Sequence, residues 1–70
     1  MDSVQIRDEF IKLGQALKLA RLVESGADAK EVITSGQVKV NGQTELQRGK
    51  KLVAGDVVEF GGRQFKVSAK

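Results

Sequence analysis

The chain contains neither cysteine nor histidine. No disulfide or thiolate metal site can reinforce it. Cys/His and Ser/His nucleophilic catalysis and His-ligated metal sites are excluded with them. Carboxylate-only chemistry survives that cut, but no acids are paired in a suggestive way. Tyrosine and tryptophan are missing too, which leaves Phe10, Phe60 and Phe65 as the only aromatics. Recognition by stacking bases on aromatic platforms is therefore disfavoured. No run approaches the roughly 20 apolar residues that span a bilayer, so no membrane association is expected. Met1-Asp2-Ser3 is not a basic stretch followed by an apolar one, so no signal peptide is expected. A chain without cysteine fits the cytoplasm.

Seventy residues make one small domain, expected over 1–70. That size argues against a pocket-bearing enzyme. The reading is a non-catalytic protein with no cofactor and no metal.

Formal net charge is +3, and the sequence pI is about 9.5. How the charge is distributed says more than its total. Residues 1–11 carry Asp2, Arg7, Asp8 and Glu9, a net negative. Residues 12–21 carry Lys12, Lys18 and Arg21 with no acid. Residues 39–51 carry Lys39, Arg48, Lys50 and Lys51 against Glu45 alone. The positive charge sits in blocks, and a fold that joins two of them makes a basic surface.

Val4 and Ile6 alternate with Gln5 and Arg7, which predicts a short strand within Val4–Phe10. Leu13, Ala16, Leu17, Ala20 and Val23 follow helical spacing and predict a helix over Leu13–Val23. Gln15, Lys18 and Arg21 lie on its other side. Gly14 is a poor helix residue, by about 1 kcal/mol against alanine. In the first turn that cost is smaller, and a glycine there lets another backbone come close. Ser25, with Asp28 three residues on, reads as the N-cap of a second helix. Ala29, Val32 and Ile33 form the apolar side of that helix, and Gly36 ends it in the left-handed conformation. With about two residues between them, the helices form a helix-turn-helix-like pair.

Val38-Lys39-Val40 alternates as a half-buried strand, and Asn41-Gly42 is a strong hairpin signal. Gln43–Lys51 reads as a short return strand and then a basic loop. Ala54-Gly55-Asp56 makes a turn. Val57–Phe60 and Arg63–Val67 flank the two-residue turn Gly61-Gly62, a register that sets Val58 opposite Phe65. The fold class is α+β: a two-helix, helix-turn-helix-like unit packed on a small, mostly antiparallel β-sheet.

Lys12-Leu13, Ser25, Ala29-Lys30, Val38-Lys39-Val40-Asn41-Gly42 and Leu52-Val53-Ala54-Gly55-Asp56-Val57 stand in a particular order. That order resembles the S-four RNA-binding domain (the alpha-L motif), named after protein four of the small ribosomal subunit. The resemblance runs without gaps from Lys12 to Asp56. Leu13-Gly14-Gln15 and the loop Arg48-Gly49-Lys50-Lys51 look like the short, stand-alone, YbcJ-like bacterial form. Two positions depart from the family pattern. Its Asp after the Leu is Gly14 here, and the first Arg of its second helix falls on Gly26.

The resemblance implies non-catalytic binding of structured RNA, such as ribosomal RNA, against the helix pair and the adjoining strand and loop. Ribosomal or other protein partners are compatible with it. The RNA-binding candidates are Lys12, Lys18, Arg21, Ser25, Lys30, Lys39, Asn41, Arg48, Lys50 and Lys51. Each also has a plainer reading. The lysines and arginines serve as solvated surface charge, Ser25 as a helix cap, and Asn41 as a turn residue. Arg63, Lys66 and Lys70 read as surface charge. Lys12, Lys30 and the Arg48–Lys51 loop are expected on one surface. The alternatives are a protein-interaction module and a DNA-binding helix-turn-helix. The latter is weakened by Asp28 and Glu31 on the would-be recognition helix, where Lys30 is the one base-reading candidate.

Overall fold

The computed structural model describes residues 2–69. The inward alternation of Val4 and Ile6 builds strand β1, Asp2–Ile6. It begins and ends earlier than the sequence predicts, because Arg7, Asp8 and Glu9 are three consecutive charges with no inward position to fill. They form an exposed bend instead. The chain then re-enters a ladder at β2, Ile11–Lys12.

Helix α1, Leu13–Leu19, buries Leu13, Ala16 and Leu17 on one face. It stops short of the predicted end at Val23. Arg21 adopts φ 59°. Its N–H donates to the Lys18 carbonyl, and the Leu22 N–H donates to the Leu17 carbonyl, both at 3.0 Å. This is a Schellman turn with arginine in the position that glycine usually takes. The turn folds Leu22 and Val23 back against the core as half-buried residues. The apolar spacing is thus met by a reversal instead of another helical turn. The connection between the helices runs through residues 20–25, longer than the two residues expected.

Helix α2, Gly26–Thr34, starts where the sequence predicts: Ser25 Oγ accepts the Asp28 N–H at 3.1 Å. It ends at Gly36, φ 82°. There the N–H groups of Gly36 and Gln37 donate to the carbonyls of Ile33 and Val32, each at 3.1 Å.

Strand β3, Val38–Val40, turns through Asn41 and Gly42 into β4, Gln43–Thr44. Both turn residues have positive φ, 52° and 84°, as a type I′ hairpin requires. After the basic loop come β5, Lys51–Leu52; β6, Val57–Phe60; and β7, Arg63–Ala69. Gly61 and Gly62 join the last two strands, and Val58 faces Phe65 as the turn length dictates.

The main sheet has the order β1-β7-β6-β3-β4, and β2 pairs with β5 in a separate two-stranded ladder. All pairings are antiparallel except β1 with β7, which places the start of the chain beside its end. The fold class is the expected α+β. Leu13, Leu17, Ile33, Val38, Leu52, Val58, Phe65 and Val67 are fully buried between the helices and one sheet face. Each contributes about 1.5–3 kcal/mol of apolar burial. Among the described residues no polar or charged side chain is buried, so every candidate cation is on the surface.

Replacing Ser25 with alanine removes the acceptor for the Asp28 N–H. Denaturant melts are expected to show a loss of about 1 kcal/mol; an unchanged midpoint would contradict the cap.

Candidate nucleic-acid interface

Helix α1 has no side-chain cap at its start. The basic loop takes that place. The Leu13 N–H donates to the Lys50 carbonyl at 2.8 Å, and the Gly14 N–H donates to the Arg48 carbonyl at 3.2 Å. Two of the amides that a helix start leaves unpaired are thereby satisfied. Beside these bonds, β2 pairs with β5 so that Ile11 faces Leu52 and Lys12 faces Lys51. Backbone bonds and a buried Leu52 therefore hold the loop against the helix.

Gly14 allows this approach. A Cβ at that position would lie 2.9 Å from Arg48 Cγ, so the Arg48 stem crosses the helix where a side chain would otherwise stand. The sequence reading expects another backbone beside Gly14, but a side chain, the Arg48 stem, takes the space of the missing Cβ. Aspartate, the residue of the family pattern, would have to displace that stem.

The result is a groove of about 280 Å³ lined by Lys12, Lys18 and Arg48, with Gly14, Gln15 and Gly26 between them. Among the described residues no carboxylate lines it. The ion pair found among the described residues is elsewhere, Arg63 with Asp2 at 3.8 Å. Lys12 and Lys51 also face each other directly across an antiparallel ladder, an arrangement that destabilises like charges. Unneutralised cations in a concavity oppose folding and favour an anion. The second departure from the family pattern, Gly26, lines the same groove and has open space where a side chain would project. Lys30 stands one helical turn beyond Gly26 on the same stripe of α2, exposed.

The remaining candidates are placed differently. The Lys51 ammonium lies 4.8 Å from the centre of the Phe10 ring. Lys50 lines a separate concavity that also contains Glu45 and Asp56, so its surroundings are mixed in charge. Arg21 marks the opposite end of α1, at its Schellman turn. Lys39 is exposed between buried Val38 and Val40, hence on the outer sheet face, opposite Glu59. Ser25 Oγ is engaged by the Asp28 N–H.

Asn41 is engaged as well. Its Oδ1 accepts the Val57 N–H at 2.9 Å, and its Nδ2 donates to Asp56 Oδ1 at 3.0 Å. Asp56 Oδ2 in turn accepts the Val53 N–H at 2.8 Å. The two turns that carry much of the resemblance, Asn41-Gly42 and Ala54-Gly55-Asp56, are thus hydrogen-bonded to each other.

Residues 4–68 match the family model described as S4 domain. The chain belongs to the S4 domain family. Its similarity to particular S4 proteins is also close. It is 46% identical over 59 residues to the Bacillus subtilis (strain 168) protein named "Probable ribosome maturation protein RlbA", covering 84% of this chain and 83% of that one. Identity to YbcJ of Escherichia coli (strain K12) is likewise 46% over 59 residues, with 84% of each chain covered. The solution structure of E. coli YbcJ superposes with a TM-score of 0.76 at 40% identity, covering 99% of this chain and 89% of that one. That structure is described as revealing an αL motif involved in RNA binding. A third relative is the tyrosine–tRNA ligase of Burkholderia lata, 41% identical over 64 residues; the match covers 90% of this chain and 16% of the ligase.

The Lys12–Lys51 opposition makes a further stability prediction for this S4 domain. Lys12→Gln is expected to raise the unfolding free energy by about 0.2–1 kcal/mol, read from the denaturant midpoint at low salt. A lowered midpoint would mean that Lys12 is not repelled where it stands.

Proposed function

We propose that this chain is a non-catalytic binder of structured RNA, with ribosomal RNA or a ribosome-assembly intermediate as its target in the cytoplasm. The groove of Lys12, Lys18 and Arg48, free of carboxylates and built onto the start of α1, carries the reading. The names of RlbA and YbcJ's structure support the same direction.

The mechanism follows from the geometry. Lys12, Lys18 and Arg48 replace the counterions condensed on phosphates, and releasing those ions supplies the free energy of binding. Arg48 contributes a planar fork of donors suited to two phosphate oxygens. Lys30 and Lys51 extend the cationic surface on either side. Such contacts fix register and orientation, so the shape of a folded RNA contributes more than its sequence.

If about four phosphates are engaged, the log–log slope of affinity against salt is expected to be roughly −3 to −4. The triple change Lys12→Gln, Lys18→Gln and Arg48→Gln should weaken binding to a folded ribosomal RNA fragment and flatten that slope by about one unit per lost contact. The control is Lys39→Gln, Arg63→Gln and Lys66→Gln, which removes equal charge from the sheet. Equal losses in both variants would reduce the effect to net charge. No loss in either would overturn the proposal.

Gly26→Arg is a gain-of-function counterpart. The position has room, and its φ is not in the left-handed region. The variant is expected to bind the same fragment several-fold more tightly and to steepen the salt slope by about one unit. Unchanged binding in a folded variant would place the phosphates away from the start of α2.

A further inference from the structure

A second groove adjoins the cationic one. It lies between β1, the segment 7–10 and α1, an open depression of about 530 Å³. Sites that hold small organic groups span about 300–1,000 Å³. Phe10, Ile11 and Leu19 form an apolar wall, while Gln5, Arg7 and Asp8 bring polar groups. Gln15 and Lys18 line both grooves, so the two are continuous along the exposed side of α1.

Phe10 and Leu19 are large apolar residues left 39% and 61% exposed. The other two phenylalanines are used by the fold: Phe65 is buried, and Phe60 packs half-buried against the core. Phe10 also carries the Lys51 ammonium near its ring, and Lys51 is the cross-strand partner of Lys12. The ring lines the second groove, while Gln15 and Lys18 mark where the two grooves meet.

Their linings call for different occupants. The first groove has cations and no acid, which suits phosphate. In the second, Asp8 offsets part of the charge of Arg7 and Lys18. A phosphate there would meet Asp8, and a plain alkyl group would leave the polar lining unmatched. Among the described residues no side-chain hydrogen bond engages Gln5, Asp8 or Gln15. A flat, uncharged ring with donors and acceptors on its edge matches both parts. Its face meets Phe10, Ile11 and Leu19, and its edge meets the amides and the carboxylate.

We propose that this second groove receives one unpaired nucleobase of the RNA whose phosphates lie in the cationic groove. The inference rests on the RNA-binding reading above and adds a base-sensitive subsite to it. The scarcity of aromatics disfavours stacking as the general mode of recognition, but the one exposed ring, Phe10, supplies a single stacking surface, and Lys18 marks where the strand passes from one groove to the other.

The test compares two RNA hairpins of identical stem. One is fully paired, and the other carries a single bulged 2-aminopurine. The wild-type protein is expected to bind the bulged hairpin about tenfold more tightly, the scale of one base–aromatic stack, with a change in 2-aminopurine fluorescence. Phe10→Ala and, independently, Leu19→Gln are expected to reduce that preference and the fluorescence change. Affinity for the paired hairpin and its salt slope should stay as they are. Thermal melts verify folding, and the exposure of both residues allows either variant to serve. Equal binding of both hairpins by the wild type, as for a groove occupied by a protein partner, overturns the base subsite and leaves the cationic groove standing. Equal weakening of both hairpins by Phe10→Ala also overturns it, since the ring would then act only through Lys51. Failure of the wild type to bind either hairpin overturns the RNA reading and the subsite together.

Discussion

The attachment of the basic loop to the first turn of α1 is the interaction on which the candidate site depends. Two backbone hydrogen bonds, from Leu13 and Gly14 to the carbonyls of Lys50 and Arg48, make it. The helix start needs acceptors and has no side chain to provide them. The loop needs an anchor, since its own residues are polar and exposed. Each meets the other's need, and Arg48 is brought beside Lys12 and Lys18 as a consequence. Leu52, fully buried next to the loop, adds an apolar anchor that a charged segment alone would lack.

A second lattice of hydrogen bonds explains why the family pattern includes residues far from the groove. Asn41 and Asp56 tie the hairpin turn after β3 to the turn before β6. Asn41 Oδ1 accepts the Val57 N–H, and Asp56 accepts both the Asn41 side-chain amide and the Val53 N–H of its own turn. The Asn-Gly and Gly-Asp signatures of this chain thus identify the fold and hold its sheet together. The chemistry of the groove comes from residues less regular in the pattern: a lysine before the helix, an arginine in the loop and two glycines that leave space.

The distribution of charge divides the surface. On the outer sheet face Lys39 has Glu59 as its cross-strand neighbour, and at the sheet edge Arg63 pairs with Asp2. Among the described residues, no acid lines the groove beside Lys12, Lys18 and Arg48. Acids are interspersed among the sheet cations, whereas the helix-loop junction retains its field. That contrast separates the basic residues that act as solubilisers from those available to an anion, a distinction that net charge alone does not make.

Helix α2, both hairpins and the Val58–Phe65 register were determined by the sequence itself. Each rests on local chemistry: a capping serine, left-handed glycines, and a two-residue loop that leaves one register open. The α+β class followed from those pieces, and the resemblance carried the family. Other features were decided only by the tertiary structure. The end of α1 at Leu19 depends on Leu22 and Val23 finding the core after a reversal, and apolar spacing is the same for a continuing helix and for a fold-back. The parallel pairing of β1 with β7 joins segments about as distant as the chain permits, and strand alternation specifies a face but no partner. The outward position of Lys39 followed from alternation with Val38 and Val40, but the grouping of Lys12, Lys18 and Arg48 and the seat of Phe10 under Lys51 have the same tertiary origin. They depend on which loop carbonyls meet the unpaired amides of α1, a match made across more than thirty residues of chain that no local pattern encodes.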